Sequence, residues 1–219
     1  MKPKFLRGTL AVVAPALLLG LAGCASRPTW RGDEGAAYDI LNQSTIALMD
    51  IDHQALEGPL GVAMRRACAV FVFPGSATGV PASAAARGNG VLLVRDLTTG
   101  HWNGPAFYAL RLRDEGRVEH MDRRTWVIAV GCNGLRQLYE HPDGSGELDD
   151  TARDDMTAWA LSGRRFVPAS IMDIQVRPLP TIAAAYYQAP APIQAVFVDR
   201  SVRNNASAEI QSAIELVQR

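Results

Sequence analysis

Between Cys68 and Val176 the chain carries six short apolar runs rich in β-branched and aromatic residues. They are Cys68–Phe73, closed by Pro74-Gly75, then Gly90–Arg95, Trp102–Leu112, Trp126–Val130, Met156–Leu161 and Phe166–Val176. Runs of this length and composition read as buried strands. A parallel pair needs a crossover of a dozen or more residues, usually a helix. Only Asn133–Tyr139 reads as a helix within this stretch, so the runs are expected to pair antiparallel. Ile193–Val198 reads as a further strand.

Helices flank the strands. Ala37, Ile40, Leu41, Ser44 and Leu48 share one face of a helix expected over Ala36–Asp50. Gly58-Pro59 starts a shorter one that runs to Arg66, and Thr181–Tyr187 forms another. From about Ala206 the apolar stripe Ile210, Ala213, Ile214 and Val217 marks a last helix, with Asn205 or Ser207 as its cap.

Composition limits the partners. The 219 residues are 48% hydrophobic and 20% charged, which suits a packed core. Basic and acidic residues number 22 each, but Lys2, Lys4 and Arg7 all precede Cys24 with no acid among them. The remainder carries 19 Arg against 22 acids, a net of about −3. A mildly acidic body argues against nucleic acid as a partner and against a polybasic membrane binder.

Residues 1–23 have the form of a secretory signal. Met1–Gly8 is basic, Thr9–Leu21 is apolar, and Leu21-Ala22-Gly23-Cys24 ends the segment. The apolar run is shorter than the roughly 20 residues a membrane-spanning helix needs. Leu-Ala-Gly-Cys resembles the bacterial lipobox. That resemblance implies cleavage before Cys24, lipid attachment to the Cys24 sulfur, and acylation of the new amino terminus, with palmitate as the expected chain. Ala25 is not the aspartate that retains many such proteins at the inner membrane. The expected location is therefore the periplasmic face of the cell envelope, at the outer membrane. Residues 24–35, rich in Arg, Pro, Gly and polar residues, read as a lipidated tether.

Cys68 and Cys132 remain once Cys24 is modified, and each lies beside an apolar run. An oxidising compartment permits a bridge. A bridge also requires Cα atoms within about 7 Å, which spacing does not establish. The expectation is two buried, unpaired thiols.

Three phrases resemble the SYLF domain family: Ala69-Val70-Phe71-Val72-Phe73-Pro74, then Gly88-Asn89-Gly90-Val91-Leu92-Leu93-Val94-Arg95-Asp96, then Trp102-Asn103-Gly104-Pro105-Ala106-Phe107. Ser162-Gly163-Arg164-Arg165-Phe166 and Ala185-Tyr186-Tyr187 continue the likeness in family order, so that it covers about residues 36–219. Two stretches depart from it. Thr78–Arg87 is poorer in glycine than the family's central loop, and Arg111–Arg117 stands where a glycine-rich stretch is common. The resemblance implies an α+β fold in which a curved, barrel-like antiparallel β-sheet packs with amino- and carboxyl-terminal helices. It also implies non-catalytic binding of phospholipid or another amphiphile. The family's actin binding is not carried over to a periplasmic protein. The alternative is a structural or adaptor lipoprotein that binds an envelope protein partner. An apolar groove with adjoining arginines would favour lipid, and a closed sheet with a flat apolar patch would favour the adaptor.

No enzyme, cofactor or metal is expected. His53, His101, His120 and His141 lack ligand spacing. Asp143–Asp149 alternates oxygen ligands, but Leu148 stands where a calcium loop turns on glycine, so it reads as a solvated loop. Pro74–Gly79 lacks the Lys-Ser/Thr of a phosphate-binding loop, and no Gly-x-Ser-x-Gly elbow occurs. Arginine forks suit phosphate oxygens. Of the pairs Arg65-Arg66, Arg123-Arg124 and Arg164-Arg165, the first precedes the Phe-Pro strand, and Arg87 ends the altered loop before the next. Arg65, Arg66 and Arg87 are thus the candidate contacts to an anionic phospholipid. Trp102, Phe107 and Trp126 read as core.

Overall fold

The sheet order is β6-β5-β4-β1-β2-β3-β7, and every neighbouring pair is antiparallel. The structure is a computed structural model and describes residues 31–75, 88–112, 124–142, 153–170 and 174–218. Its strands are β1 (Ala69–Phe73), β2 (Asn89–Arg95), β3 (Trp102–Leu112), β4 (Trp126–Val130), β5 (Met156–Ser162), β6 (Arg165–Ala169) and β7 (Ile174–Pro178). The helices are α1 (Arg31–Met49), α2 (His53–Glu57), α3 (Pro59–Arg66), α4 (Cys132–Glu140), α5 (Pro180–Tyr187), α6 (Ile193–Phe197) and α7 (Ser207–Leu216).

Chain connectivity forces this sheet to curl. β6 and β7 lie at opposite edges. Seven strands laid flat would separate those edges by roughly 29 Å. The chain takes five residue steps from Ala169 to Ile174, and five steps reach at most about 18 Å. The α+β class and the curled antiparallel sheet agree with expectation. The single strand expected over Phe166–Val176 does not, because that stretch divides into β6 and β7. Pro168 lacks an N–H and so suits an edge, which is where β6 lies.

The two faces of the sheet are filled differently. Val72, Val91 and Phe107 lie in register on one face. There Ser44 of α1 donates to the Val72 carbonyl at 3.5 Å, and the Phe107 ring meets Tyr186 of α5 at 5.2 Å. α1 also packs against α5 and α7, with Ala37, Ile40, Leu41, Ser44 and Leu48 all buried as their spacing predicts. Phe71, Phe73, Ile128 and Tyr108 share the other face. Phe71 on β1 touches Tyr108 on β3 at 5.1 Å although β2 lies between them, so this face is the inside of the curl. Gly90 permits the contact. It sits between Phe73 and Tyr108 in register, and a Cβ there would stand 2.6 Å from the Phe73 ring. Trp102, Phe107 and Trp126 are core residues, as expected.

Three further expectations are corrected. α1 begins at Arg31, five residues before Ala36, with Asp33 and Glu34 in its first turn where the helix dipole favours acids. Ile193–Phe197 is a helix, not a strand. Five residues cannot declare a period, but Ile193, Val196 and Phe197 are buried at i, i+3 and i+4. Neither Asn205 nor Ser207 caps α7, which starts after Ala206 without a side-chain cap. The buried Ser207 hydroxyl instead bonds Tyr186 at 2.9 Å.

The thiol expectation is overturned as well. Cys68 and Cys132 form a disulfide with Cα atoms 5.1 Å apart. Ala69 faces Val130 across the β1–β4 pair, so the residue before β1 and the segment after β4 leave the sheet at the same end. The sequence separates these strands by two others, which hides their adjacency.

Candidate functional site

Arg65 and Arg66 lie apart from the apolar groove described below. Arg65 and Arg66 end α3, where positive charge complements the helix dipole, and both are exposed. Arg65 Nη1 donates to the Leu56 carbonyl at 3.2 Å, which satisfies an orphan carbonyl near the end of α2. Arg95 Nη1 donates to the Arg65 carbonyl at 3.1 Å. Arg65 and Arg95 thus border a cavity of about 480 Å³. Its opposite wall carries Trp102 and Gln218, joined Nε1 to Oε1 at 3.0 Å, and His101 and Glu215, whose Nδ1 and Oε1 are 3.2 Å apart. Arg87 and Cys24 lie outside the described residues, as do His120 and the Asp143–Asp149 loop.

A second cation escaped the sequence reading. Arg200 Nη2 lies 2.6 Å from Asp96 Oδ2. The backbone N–H groups of Thr98 and Thr99 donate to Asp96 Oδ1 at 2.8 and 3.2 Å. The Arg200 guanidinium, then these two N–H groups, hold the Asp96 carboxyl well below the usual carboxylate range. The turn was legible as Asp-Leu-Thr-Thr-Gly, a side-chain-capped form. Its partner, 104 residues further on, was not.

The apolar groove has a cavity of about 560 Å³, within the usual range for small-molecule sites. It lies where β3 and β7 meet α5 and the segment leading into α6, with Pro142 closing one side. Among the described residues its walls are prolines, alanines, Phe107, Tyr108, Leu179 and Ile193. No arginine among the described residues lines it. Tyr108 is 3% exposed, and burial pushes its phenol above the ordinary value. The neighbouring phenols are likewise held protonated by burial, Tyr139 and Tyr186 each at about 12. Tyr187, raised by the same cause, donates to the Pro105 carbonyl at 2.8 Å.

Among the described residues no three His, Cys, Asp or Glu side chains come together as a metal site would require. Among them, too, no helix is long and apolar enough to cross a membrane. Comparison with protein-family models, with curated proteins and with solved structures finds no match to this chain.

Proposed function

We propose that this chain is a lipid-anchored envelope protein whose SYLF-like domain binds phospholipid or another amphiphile without catalysis. The observation that carries the reading is the groove, whose described lining is prolines, alanines and other largely apolar residues. A cleft with walls of this kind suits the apolar part of an amphiphile. Arg65 and Arg66, exposed at the end of α3, and Arg87 would meet a phosphate at the bilayer surface, each a charge-assisted contact. The Cys68–Cys132 bridge supports export, because structural disulfides persist in oxidising compartments. Acylation at Cys24 would keep the domain beside its ligand, so weak affinity suffices at an effective concentration of about millimolar.

The test is vesicle binding by the chain from Ala25 onward, which retains every residue of the described core. It should prefer anionic over neutral vesicles at low salt, lose that preference as salt rises, and bind less well after Arg65→Gln, Arg66→Gln and Arg87→Gln together. No preference at low salt would sink the lipid reading and leave the adaptor reading in its place.

A further inference from the structure

We infer that the cavity walled by Arg65 and Arg95 is a phosphate-binding site, in which the two guanidinium groups clamp the oxygens of one phosphate group. The inference narrows the dispersed phosphate contacts proposed above to one cavity and brings in Arg95. It rests on the amphiphile reading only for a lipid headgroup as the source of the phosphate.

Hydrogen bonds fix where both cations stand. Arg65, in the last turn of α3, donates from Nη1 to the Leu56 carbonyl. Arg95, at the end of β2, donates from Nη1 to the Arg65 carbonyl. Both line the same cavity, together with Thr99, Gly100 and His101 of the β2–β3 turn and Glu215 and Gln218 at the end of the chain. A guanidinium carries several N–H donors in a planar fork, so each retains donors beyond the one spent on backbone. Gly100 leaves Arg95 uncovered. Its φ of +76° favours glycine, and the atom nearest its missing Cβ is Arg95 Nη2 at 3.9 Å.

Neither cation has a counter-ion of its own. Among the described residues Arg65 and Arg95 form no ion pair. Asp96, next to Arg95 in sequence, is engaged instead by Arg200 and by the N–H groups of Thr98 and Thr99. Glu215 is the carboxylate on the described wall, and its Oε1 stands 3.2 Å from His101 Nδ1. The α3 carbonyls are also taken up. That of Met64 accepts from Gln218 Nε2 at 3.0 Å, and that of Arg65 accepts from Arg95. Gln218 is held in turn by the Trp102 indole, so the wall is preorganised. Two cations that share a cavity without a counter-ion attract an anion. Two forks can engage more oxygens than the pair a carboxylate presents, and a phosphate supplies them.

The experiment follows the Trp102 indole N–H in proton–nitrogen correlation spectra of the chain from Ala25 onward. The probes are sodium phosphate and dihexanoyl phosphatidic acid below its micelle concentration, each compared with sodium chloride at equal ionic strength. Phosphate should move the resonance to saturation, and chloride should not. Arg65→Gln and Arg95→Gln should each weaken phosphate binding roughly tenfold, the value of one charge-assisted hydrogen bond. Arg203→Gln removes the same charge from an exposed residue that lines a different cavity, and should change affinity less than about twofold. Thr99→Glu, at an exposed wall position, leaves both arginines and their backbone bonds in place and should abolish phosphate binding, which tests the site even if Arg95→Gln fails to fold. The absence of a saturating shift overturns the inference. So does equal weakening by Arg203→Gln, or undiminished binding in Thr99→Glu. Tighter binding of phosphatidic acid than of inorganic phosphate assigns the site to a lipid headgroup, and equal affinity assigns it to free phosphate. Preference for anionic vesicles is scored separately. Its persistence without a phosphate shift overturns this inference alone, whereas its absence with the shift retained overturns the amphiphile reading alone.

Discussion

Reducing the Cys68–Cys132 bridge should cost this fold about 4 kcal/mol. The bridge closes a loop with a sequence separation of 64 residues. In the chain-entropy model such a cross-link removes about 14 cal/mol/K from the unfolded ensemble, or about 4 kcal/mol at 25 °C. The loop runs from the start of β1 to the end of β4, so the freed chain must close it again before that pair can form. Melting entropy near 2.1 cal/mol/K per residue, taken over residues 36–219, amounts to roughly 0.4 kcal/mol/K, so the melting temperature should fall by about 10 °C. The assay is urea unfolding of the chain from Ala25 onward with and without a phosphine reductant. That chain has two cysteines, so the difference reports this bridge alone. Cys132 is exposed, which gives the reductant access. A shift worth less than ~1 kcal/mol would refute the loop-closure argument. Alkylation of both cysteines in unreduced, unfolded protein would refute the bridge itself.

Two smaller perturbations test other parts of the fold. Gly90→Ala places a methyl group 2.2 Å from the Val72 carbonyl oxygen, an overpacked site that should cost about 3 kcal/mol in urea unfolding; a change within ~0.5 kcal/mol would mean that Phe73 and Tyr108 do not close over that glycine. Asp96 has a folded pKa below its unfolded value, so its contribution is complete above the unfolded pKa near 4 and is lost as pH falls through the folded one. The stability gap between wild type and Asp96→Asn should hold steady from pH 7 to about 5 and narrow below pH 4; a gap independent of pH down to 2 would sink the Arg200–Asp96 assignment.

Much of the fold was legible because its elements are locally consistent. The alternation of Ala37, Ile40, Leu41 and Leu48 specified a helix face, and the uninterrupted apolar runs of β1, β2 and β4 specified strands buried on both sides. What local pattern could not carry was adjacency. β1 lies beside β4, Arg200 reaches Asp96, and β6 and β7 part to opposite edges, and each depends on where the sheet curls. Ile193–Phe197 was misread for the opposite reason, being too short for a helical period to show. The site followed the same division. Arginine pairs are visible in any sequence, but the groove is assembled from prolines and alanines of four separate segments, none of which carries a signal alone.

The placement of α1 against α5 and α7 sets an order on how this protein comes into being. The ribosome completes α1 first and its helical neighbours last. Until α5 and α7 emerge, Ile40 and Leu48 have neither to cover them, and a nascent chain that folded early would present an open apolar helix to the cell. A polypeptide built this way is best kept extended and guarded until it is whole, which is the state in which a chain is threaded across a membrane. Loss of the last helix should accordingly mark a truncated copy for disposal rather than leave a working remnant.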